Sequence, residues 1–104
     1  MTADEFCAKL SATGLPVVYR AWPENAAPPL PYLCFLESYQ NNFAADGTMY
    51  YGVPHWQVEL YEPLRDPGTE STVEAVLSVL GFWEKTVEYI DTEKCYEILY
   101  EIEV

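Results

Sequence analysis

The chain has 104 residues, of which half are apolar, 17 are acidic and only 5 are basic, so the formal net charge is −12. This length and apolar content predict one domain over residues 1–104 with a single hydrophobic core. The charge argues against direct nucleic-acid binding, because neutralising phosphate requires lysine and arginine. It is compatible with ordinary solubility, with a repulsive lining, or with an acidic mimic of DNA presented to a basic partner.

The first residues, MTADEFCAKL, show neither the basic region nor the apolar region of a secretory signal. No apolar run approaches the roughly 20 residues that span a bilayer, so we expect no membrane partner. Cys7, Cys34 and Cys95 lie far apart, and with His55 as the one histidine they lack the spacing of a zinc site. We interpret the three cysteines as buried, reduced thiols in a reducing cytoplasm.

The first element is a short helix. Thr2 and Glu5 have the spacing of a capping box, and Phe6 and Leu10 fall on one apolar face. Gly14 can end this helix, and a proline soon after it prevents continuation.

Two strand-like segments follow, separated by a proline-rich connection. Residues 17–22 are rich in β-branched and aromatic types, and 23–31 (PENAAPPLP) predict a stiff, extended connection. Residues 32–36 (YLCFL) are apolar at every position, which predicts a strand that is covered on both faces. One cover would be the helices, and the other a loop, a second sheet or a neighbouring subunit.

The middle of the chain predicts a loop and a third strand. Asp46-Gly47 is a strong turn signal within a predicted loop over 39–51. Strand character resumes at 48–51, is interrupted by Gly52-Val53-Pro54, and returns at 56–61 with the alternation of a half-buried strand.

The second helix is predicted from Ser71, which forms a capping box with Glu74, to Gly81, and Val73 and Leu77 lie on its apolar stripe. Residues 83–90 predict a strand, 91–94 a polar turn and 95–104 a final strand. The order is therefore α-β-β-β-α-β-β. It predicts an α+β domain with an antiparallel sheet of about five strands and two helices packed on one face.

The sequence contains no recognisable catalytic constellation. Any triad would have to use His55, which we interpret as an ordinary surface or interface histidine. No glycine-rich phosphate loop is present, and the residues near Asn41, Asn42 and Asp46 lack the spacing of an EF-hand. We therefore expect no catalytic, cofactor-binding or metal-binding residues, and a protein that is not an enzyme.

The aromatic content is the strongest functional signal in the residues themselves. Nine tyrosines, four phenylalanines and three tryptophans are more than a core of this size can bury with their polar groups satisfied. Tyr39, Phe43, Tyr50 and Tyr51 flank the predicted loop. Tyrosine is favoured in protein interfaces, so these residues predict an assembly surface, cross-strand aromatic pairs within a hairpin, or both.

Three segments resemble a known family: APPLPYLCFLESYQNNFAADGTMYY, HWQVELYEPLRDP and YIDTEKCYEILYEIEV. They look like small proteins of tailed bacteriophages and Gram-positive prophages, whose genes lie in the head–tail connection cluster. The resemblance covers roughly residues 15–104.

The resemblance implies a tail-terminator or tail-completion protein with an α+β fold that assembles as a ring, commonly a hexamer. Its partners would be copies of itself, the tail-tube protein and the head connector, in the virion and in the bacterial cytoplasm during assembly. The interface residues that it implies are Tyr39, Asn41, Asn42, Phe43, Asp46, Tyr50 and Tyr51. The alternative is an acidic inhibitor or DNA mimic that binds a basic host protein.

Overall fold

The computed structural model describes residues 1–45 and 49–104, with side chains placed at all of these except 40–45 and 49–51. The elements are α1 (Ala3–Ser11), β1 (Val17–Tyr19), β2 (Tyr32–Ala45), β3 (Met49–Glu62), α2 (Pro67–Leu80), β4 (Trp83–Ile90) and β5 (Cys95–Glu103). This confirms the predicted α+β fold and its element order. The predicted Asp46-Gly47 turn lies outside the described residues.

The five strands form one mixed sheet in the order β1-β2-β3-β5-β4. The prediction of a purely antiparallel sheet is wrong at one pair, because β1 runs parallel to β2 while the other three pairs are antiparallel. A parallel pair needs a crossover of about a dozen residues. The proline-rich connection that leads out of β1 and into β2 is long enough to serve as that crossover.

Both helices pack on one face of the sheet and close a single core. Phe6 and Leu10 of α1 and Val73 and Leu77 of α2 are fully buried there. Their partners in the sheet alternate along three strands: Leu33, Phe35, Trp56, Val58, Leu60, Ile98, Tyr100 and Ile102. The ring of Phe6 stacks on Trp56, with 4.9 Å between the ring centroids, and therefore fixes α1 to the middle of the sheet.

The capping prediction is confirmed for α1 and wrong for α2. In α1, Thr2 Oγ1 accepts from the Glu5 backbone N–H at 3.2 Å, and Glu5 Oε1 accepts from the Thr2 backbone N–H at 2.9 Å. In α2 the N-cap is Asp66, and Pro67 follows it at the first helical position. Asp followed by Pro is itself a helix-start signal, since proline fits the first turn, so the helix begins four residues before Ser71.

The strands differ in length from their predictions for local reasons. Strand β1 ends at Tyr19 rather than 22, because Arg20 has a positive φ of 69° that turns the chain away from β2. Strand β3 continues without interruption through Pro54. Proline is tolerated there because β3 does not begin to pair with β5 until His55, so the missing N–H removes no bond on that side.

Candidate functional site

A two-stranded ribbon projects from the sheet. Strand β1 pairs with β2 only at 33–35, and β5 pairs with β3 only from His55 to Glu62. In the part of the chain that the structure describes, residues 40–45 and 49–54 therefore pair only with each other, and we call them the projecting ribbon. At about 3.4 Å per residue they extend roughly 20 Å beyond the sheet. The molecule is accordingly elongated, measuring 50 × 28 × 24 Å.

A β-bulge at Ser38 marks the base of the projecting ribbon. Glu37 lies opposite Trp56 and Tyr39 lies opposite His55, so Ser38 is an extra residue on β2. Its hydroxyl donates to the His55 carbonyl at 3.1 Å. A bulge increases the local twist of a strand pair, so it helps to set the angle at which the ribbon leaves the sheet.

The predicted loop is wrong over residues 39–45, because these lie in β2, whereas the strand character predicted for 48–51 is confirmed for residues 49–51 of β3. Asn41, Asn42 and Phe43 belong to β2, and Tyr50 and Tyr51 belong to β3. In the register, Phe43 lies opposite Tyr51. Asp46 lies outside the described residues. The ladder brings the backbones of Phe43 and Tyr51 together as neighbours, whereas the role of these residues as an interface stays a prediction.

Tyr39 is the one predicted interface residue whose side chain is placed. It is 52% exposed, and its ring stacks on the His55 imidazole with 4.4 Å between centroids and 11° between planes. His55 Nε2 lies 3.0 Å from Glu101 Oε1, and Nδ1 lies 3.2 Å from Glu103 Oε1. Partial burial lowers the pKa of His55, but the hydrogen bonds to the two carboxylates outweigh this and raise it. His55 therefore anchors the base of the ribbon, which fits the predicted surface or interface histidine.

The sheet face opposite the helices, which we call the helix-free face, carries carboxylates from β3, β4 and β5. They are Glu59, Glu84, Glu88, Glu97, Glu101 and Glu103. The strand residues described on this face include no lysine or arginine. The acidity of the sequence is therefore concentrated partly on one surface.

Two carboxyl groups on the helix-free face contact each other. Glu59 and Glu97 share a hydrogen bond, and Tyr61 Oη lies 3.4 Å from Glu59 Oε1. Burial raises the pKa of Glu59 to about 7, and the charge of Glu97 adds to the effect. Burial also raises the pKa of Glu97. The pair therefore holds one proton at a pH where an exposed glutamate is ionised.

The connection 20–31 covers the end of the helix-free face that lies away from the ribbon. It encloses a cavity of about 610 Å³, whose walls include Trp22, Tyr32, Tyr61 and Cys95. The rings of Trp22 and Tyr32 meet edge to face, with 5.6 Å between centroids. A loop, a second sheet or a neighbouring subunit was predicted to cover the second face of the YLCFL strand, and the structure shows the loop at this end of the face.

A charge cluster lies under the start of α2, and the sequence interpretation missed it; we call it the buried charge cluster after its two buried members, Glu62 and Glu70. It consists of Glu62, Arg65, Glu70, Glu74 and Lys85. Arg65 donates to Glu70 through Nε at 2.9 Å and Nη2 at 3.0 Å, and Lys85 Nζ lies 2.8 Å from Glu70 Oε1. Lys85 also donates to Glu74 Oε2 at 2.7 Å. The only sequence signal was the close spacing of acids and bases around the Pro63–Pro67 turn, which is common on protein surfaces.

Cys34 and Cys95 are buried as predicted, whereas Cys7 is only partly buried. Among the described residues, no three His, Cys, Asp or Glu side chains gather in a way that could hold a metal ion. Within the same residues, neither helix is long and apolar enough to cross a membrane.

Several apolar side chains remain on the surface. Phe82 and Val79 lie at the end of α2 and are 85% and 86% exposed, and Tyr89 of β4 is 45% exposed. This confirms that the core does not accommodate all of the aromatic residues.

The fold has a counterpart in a virus-like particle. It is similar to a chain in the solved structure "Virion of native gene transfer agent (GTA) particle", with a TM-score of 0.53 and 17% sequence identity. The match covers 91% of this chain and 83% of that chain. At this identity the likeness shows the fold. No protein-family model matches the sequence, and the comparison with curated proteins gave no match either.

Proposed function

We propose that this chain is a structural protein of a phage-like particle, which completes or terminates the tail tube and joins it to the head connector as a ring of identical subunits. The observation that carries the proposal is the likeness in fold, over 91% of the chain, to a component of a gene transfer agent virion. The sequence resemblance to tail-completion proteins supports the same class of function.

The projecting ribbon supports a role in assembly. A two-stranded hairpin is only marginally stable alone in water, and unpaired strand edges invite pairing with another chain. The ribbon contains most of the predicted interface residues, and Tyr39 at its base is half exposed. We infer that the ribbon inserts into a neighbouring subunit or into the tail tube, where its edges gain partners.

The helix-free face supports a position beside DNA that must slide past. Its strand carboxylates have no lysine or arginine among them in the described strands, so the face repels phosphate rather than binding it. We assign this face to the channel of the ring. The assignment predicts that the outer surface of the ring carries exposed bases from the helix side of the chain, such as Lys9 in α1.

The proposal gives the chain no catalytic role. The cavity beneath the connection 20–31 has aromatic and proline walls, and His55 is engaged by two carboxylates beside a stacked ring. These contacts do not provide a general base or a nucleophile that points toward a substrate.

A symmetric truncation of the ribbon tests the proposal. Removing residues 42–52 and joining Asn41 to Val53 through an Asn-Gly turn shortens both strands equally, because Asn41 and Val53 are register partners. We expect a normally folded chain that no longer forms rings and no longer joins tails to heads. The assay is electron microscopy of particles made by co-expression with the tail-tube and connector proteins of the same genetic element.

The control is a change in the exposed β4–β5 turn, Lys94→Gly, at a residue with a positive φ of 54° that glycine also adopts. This control should assemble normally. Complete particles from the truncated chain would remove the ribbon from the proposal. Complete particles that assemble in the absence of the full-length chain would contradict the proposal itself.

The acidic inhibitor or DNA mimic remains a second candidate, because one face displays carboxylates from three adjacent strands. Stable capture of a basic host protein that DNA displaces, with no association with tail or connector proteins, would favour it. Because Glu59 and Glu97 share a proton, that face carries less negative charge than a mimic of DNA phosphates needs, which argues against this candidate.

A further inference from the structure

In the buried charge cluster, the carboxyl group of Glu62 lies between α2 and the end of β3. One of its two oxygens has no hydrogen-bond donor among the described residues. Glu62 is the last residue of β3 and is 0% exposed. Its Oε2 accepts from the Asp66 backbone N–H at 2.8 Å. Its Oε1 is buried and has no hydrogen-bond donor among the described residues. A buried oxygen without a donor is costly, so its chemical state needs an explanation.

The neighbour of Glu62 within the cluster is another carboxyl group. The side chains of Glu62 and Glu70 are in hydrogen-bonding contact. Ionised carboxylates only accept hydrogen bonds, so this contact requires a proton on one of the two. Glu70 already accepts from Arg65 and from Lys85, which identifies Glu70 as the ionised member and Glu62 as the protonated one.

The charge balance of the cluster leads to the same assignment. Apart from Asp66, whose exposed carboxylate caps α2 at Thr69, three acids, Glu62, Glu70 and Glu74, face two bases, Arg65 and Lys85. With all three acids ionised the cluster carries −3 + 2 = −1, whereas a proton on Glu62 makes it neutral. A buried, uncompensated charge is strongly unfavourable.

We propose that Glu62 carries a proton in the folded protein and donates it to the carboxylate of Glu70, which holds the start of α2 against the end of β3. Loss of this proton creates an unbalanced negative charge under the helix and releases the start of α2. The fold thus contains a proton-dependent clamp, independent of the ribbon and of the proposed function.

The groups that face Glu62 come from every element packed around it. They are Arg65 and Asp66 in the connection, Glu70 and Glu74 in α2, Lys85 in β4 and Tyr100 in β5. The pKa of Glu62 is raised to about 7, chiefly by burial and also by the charge of Glu70, against the opposing effect of the Asp66 N–H. The hydrogen bond from Arg65 holds the pKa of Glu70 down at about 2. Because the pKa of Glu62 is raised in the folded state, the clamp is complete at acidic pH and is lost as the pH rises through about 7.

The first test is a titration of the wild-type protein by NMR, following the side-chain carboxyl carbon of Glu62. We expect a midpoint near 7, against the ordinary value of 4.5. A midpoint within about half a unit of the ordinary glutamate value would overturn the assignment of the proton.

The second test measures release through hydrogen exchange of the Glu70 amide, which donates to the Asp66 carbonyl at 3.0 Å in the first turn of α2. Below the midpoint, the ionised fraction of Glu62 rises about tenfold per pH unit, and base-catalysed exchange rises about tenfold as well. Wild-type exchange should therefore rise roughly a hundredfold per pH unit. Glu62→Gln keeps a neutral side chain that can donate to Glu70, so its exchange should rise only about tenfold.

Glu24→Gln is the matched control, because Glu24 is exposed in the connection 20–31 and makes the same change of charge. It should behave as the wild type does. If the exchange rate depends equally on pH in the wild type and in Glu62→Gln, the proposed release of α2 is overturned. Neither measurement depends on ring formation, so failure of this proposal and failure of the proposed function are distinguishable.

Discussion

The paired carboxyl groups on the helix-free face predict that the protein loses stability as the pH rises from 5 to 8.5. The pKa of Glu59 is raised from 4.5 to about 7, first by burial and then by the charge of Glu97. A group whose pKa is raised on folding contributes stability that is complete below its unfolded value and disappears as the pH passes its folded value. The relevant window is therefore about 4.5 to 7.

The expected loss of unfolding free energy follows from the pKa shift of Glu59. A difference of about 2.5 units corresponds to a ceiling of about 3.4 kcal/mol at about 1.36 kcal/mol per unit. Solvent reaches part of Glu59, and Glu97 shares the proton, so we take roughly half of that value, about 1.5–2 kcal/mol. Glu59→Gln removes the titration, since a neutral amide can still hydrogen-bond to Glu97.

The assay is urea unfolding of the wild type and of Glu59→Gln at pH 5 and pH 8.5. We expect the variant to be the more stable of the two at pH 8.5, and the loss of unfolding free energy between the two pH values to be smaller by about 1.5–2 kcal/mol. Glu84→Gln on the same face is the control for net charge, because Glu84 is exposed and should change stability by no more than about 0.5 kcal/mol. An equal pH-dependent loss in the wild type and in Glu59→Gln would refute the reasoning.

Three further substitutions test the core, a helix start and the ribbon base. Phe6→Ala removes a fully buried ring and should lower the free energy of unfolding by about 3–5 kcal/mol in chemical denaturation; a loss below about 1 kcal/mol would contradict the docking of α1. Asp66→Ala should lower it by about 1 kcal/mol, and Asp66→Asn by much less, since the side chain caps α2; equal losses would exclude capping. Tyr39→Ser removes a half-exposed ring stacked on His55, so we expect thermal unfolding within a few degrees of the wild type and loss of rings in sedimentation; retained rings would exclude Tyr39 from the interface.

The fold was largely predictable because its core follows simple periodicities. The alternation in β5 and the helical stripe with Val73 and Leu77 both point toward the buried face, as the structure confirms. The parallel pairing of β1 was not predictable in the same way. It depends on where the connection 20–31 crosses the sheet, and a proline-rich sequence fixes local stiffness without fixing direction.

The ribbon was misread because asparagine, glycine and proline signal loops by their local preferences. In the structure, residues 41–43 pair across to 51–53, and this ladder satisfies backbone groups that an irregular loop would leave to water. The secondary structure of these residues was therefore not predicted, and their role in an interface stays a prediction.

The buried charge cluster could not be derived from spacing alone. Arg65 and Glu70 are close in the sequence, but Lys85 reaches them only because β4 returns beside β5 under α2. A contact between elements this distant in the sequence depends on the tertiary topology, which no local pattern contains.

The bulge at Ser38 makes the direction of the ribbon depend on one amino acid. On its two sides, Glu37 is matched with Trp56 and Tyr39 with His55, so Ser38 is the residue that makes the ladder irregular at this point. Excising Ser38 would leave both pairs in place, make the ladder regular and remove the extra twist of the bulge. A lineage could thus change the angle at which the ribbon meets a neighbour through a single-codon deletion, while the core beneath the helices keeps its packing.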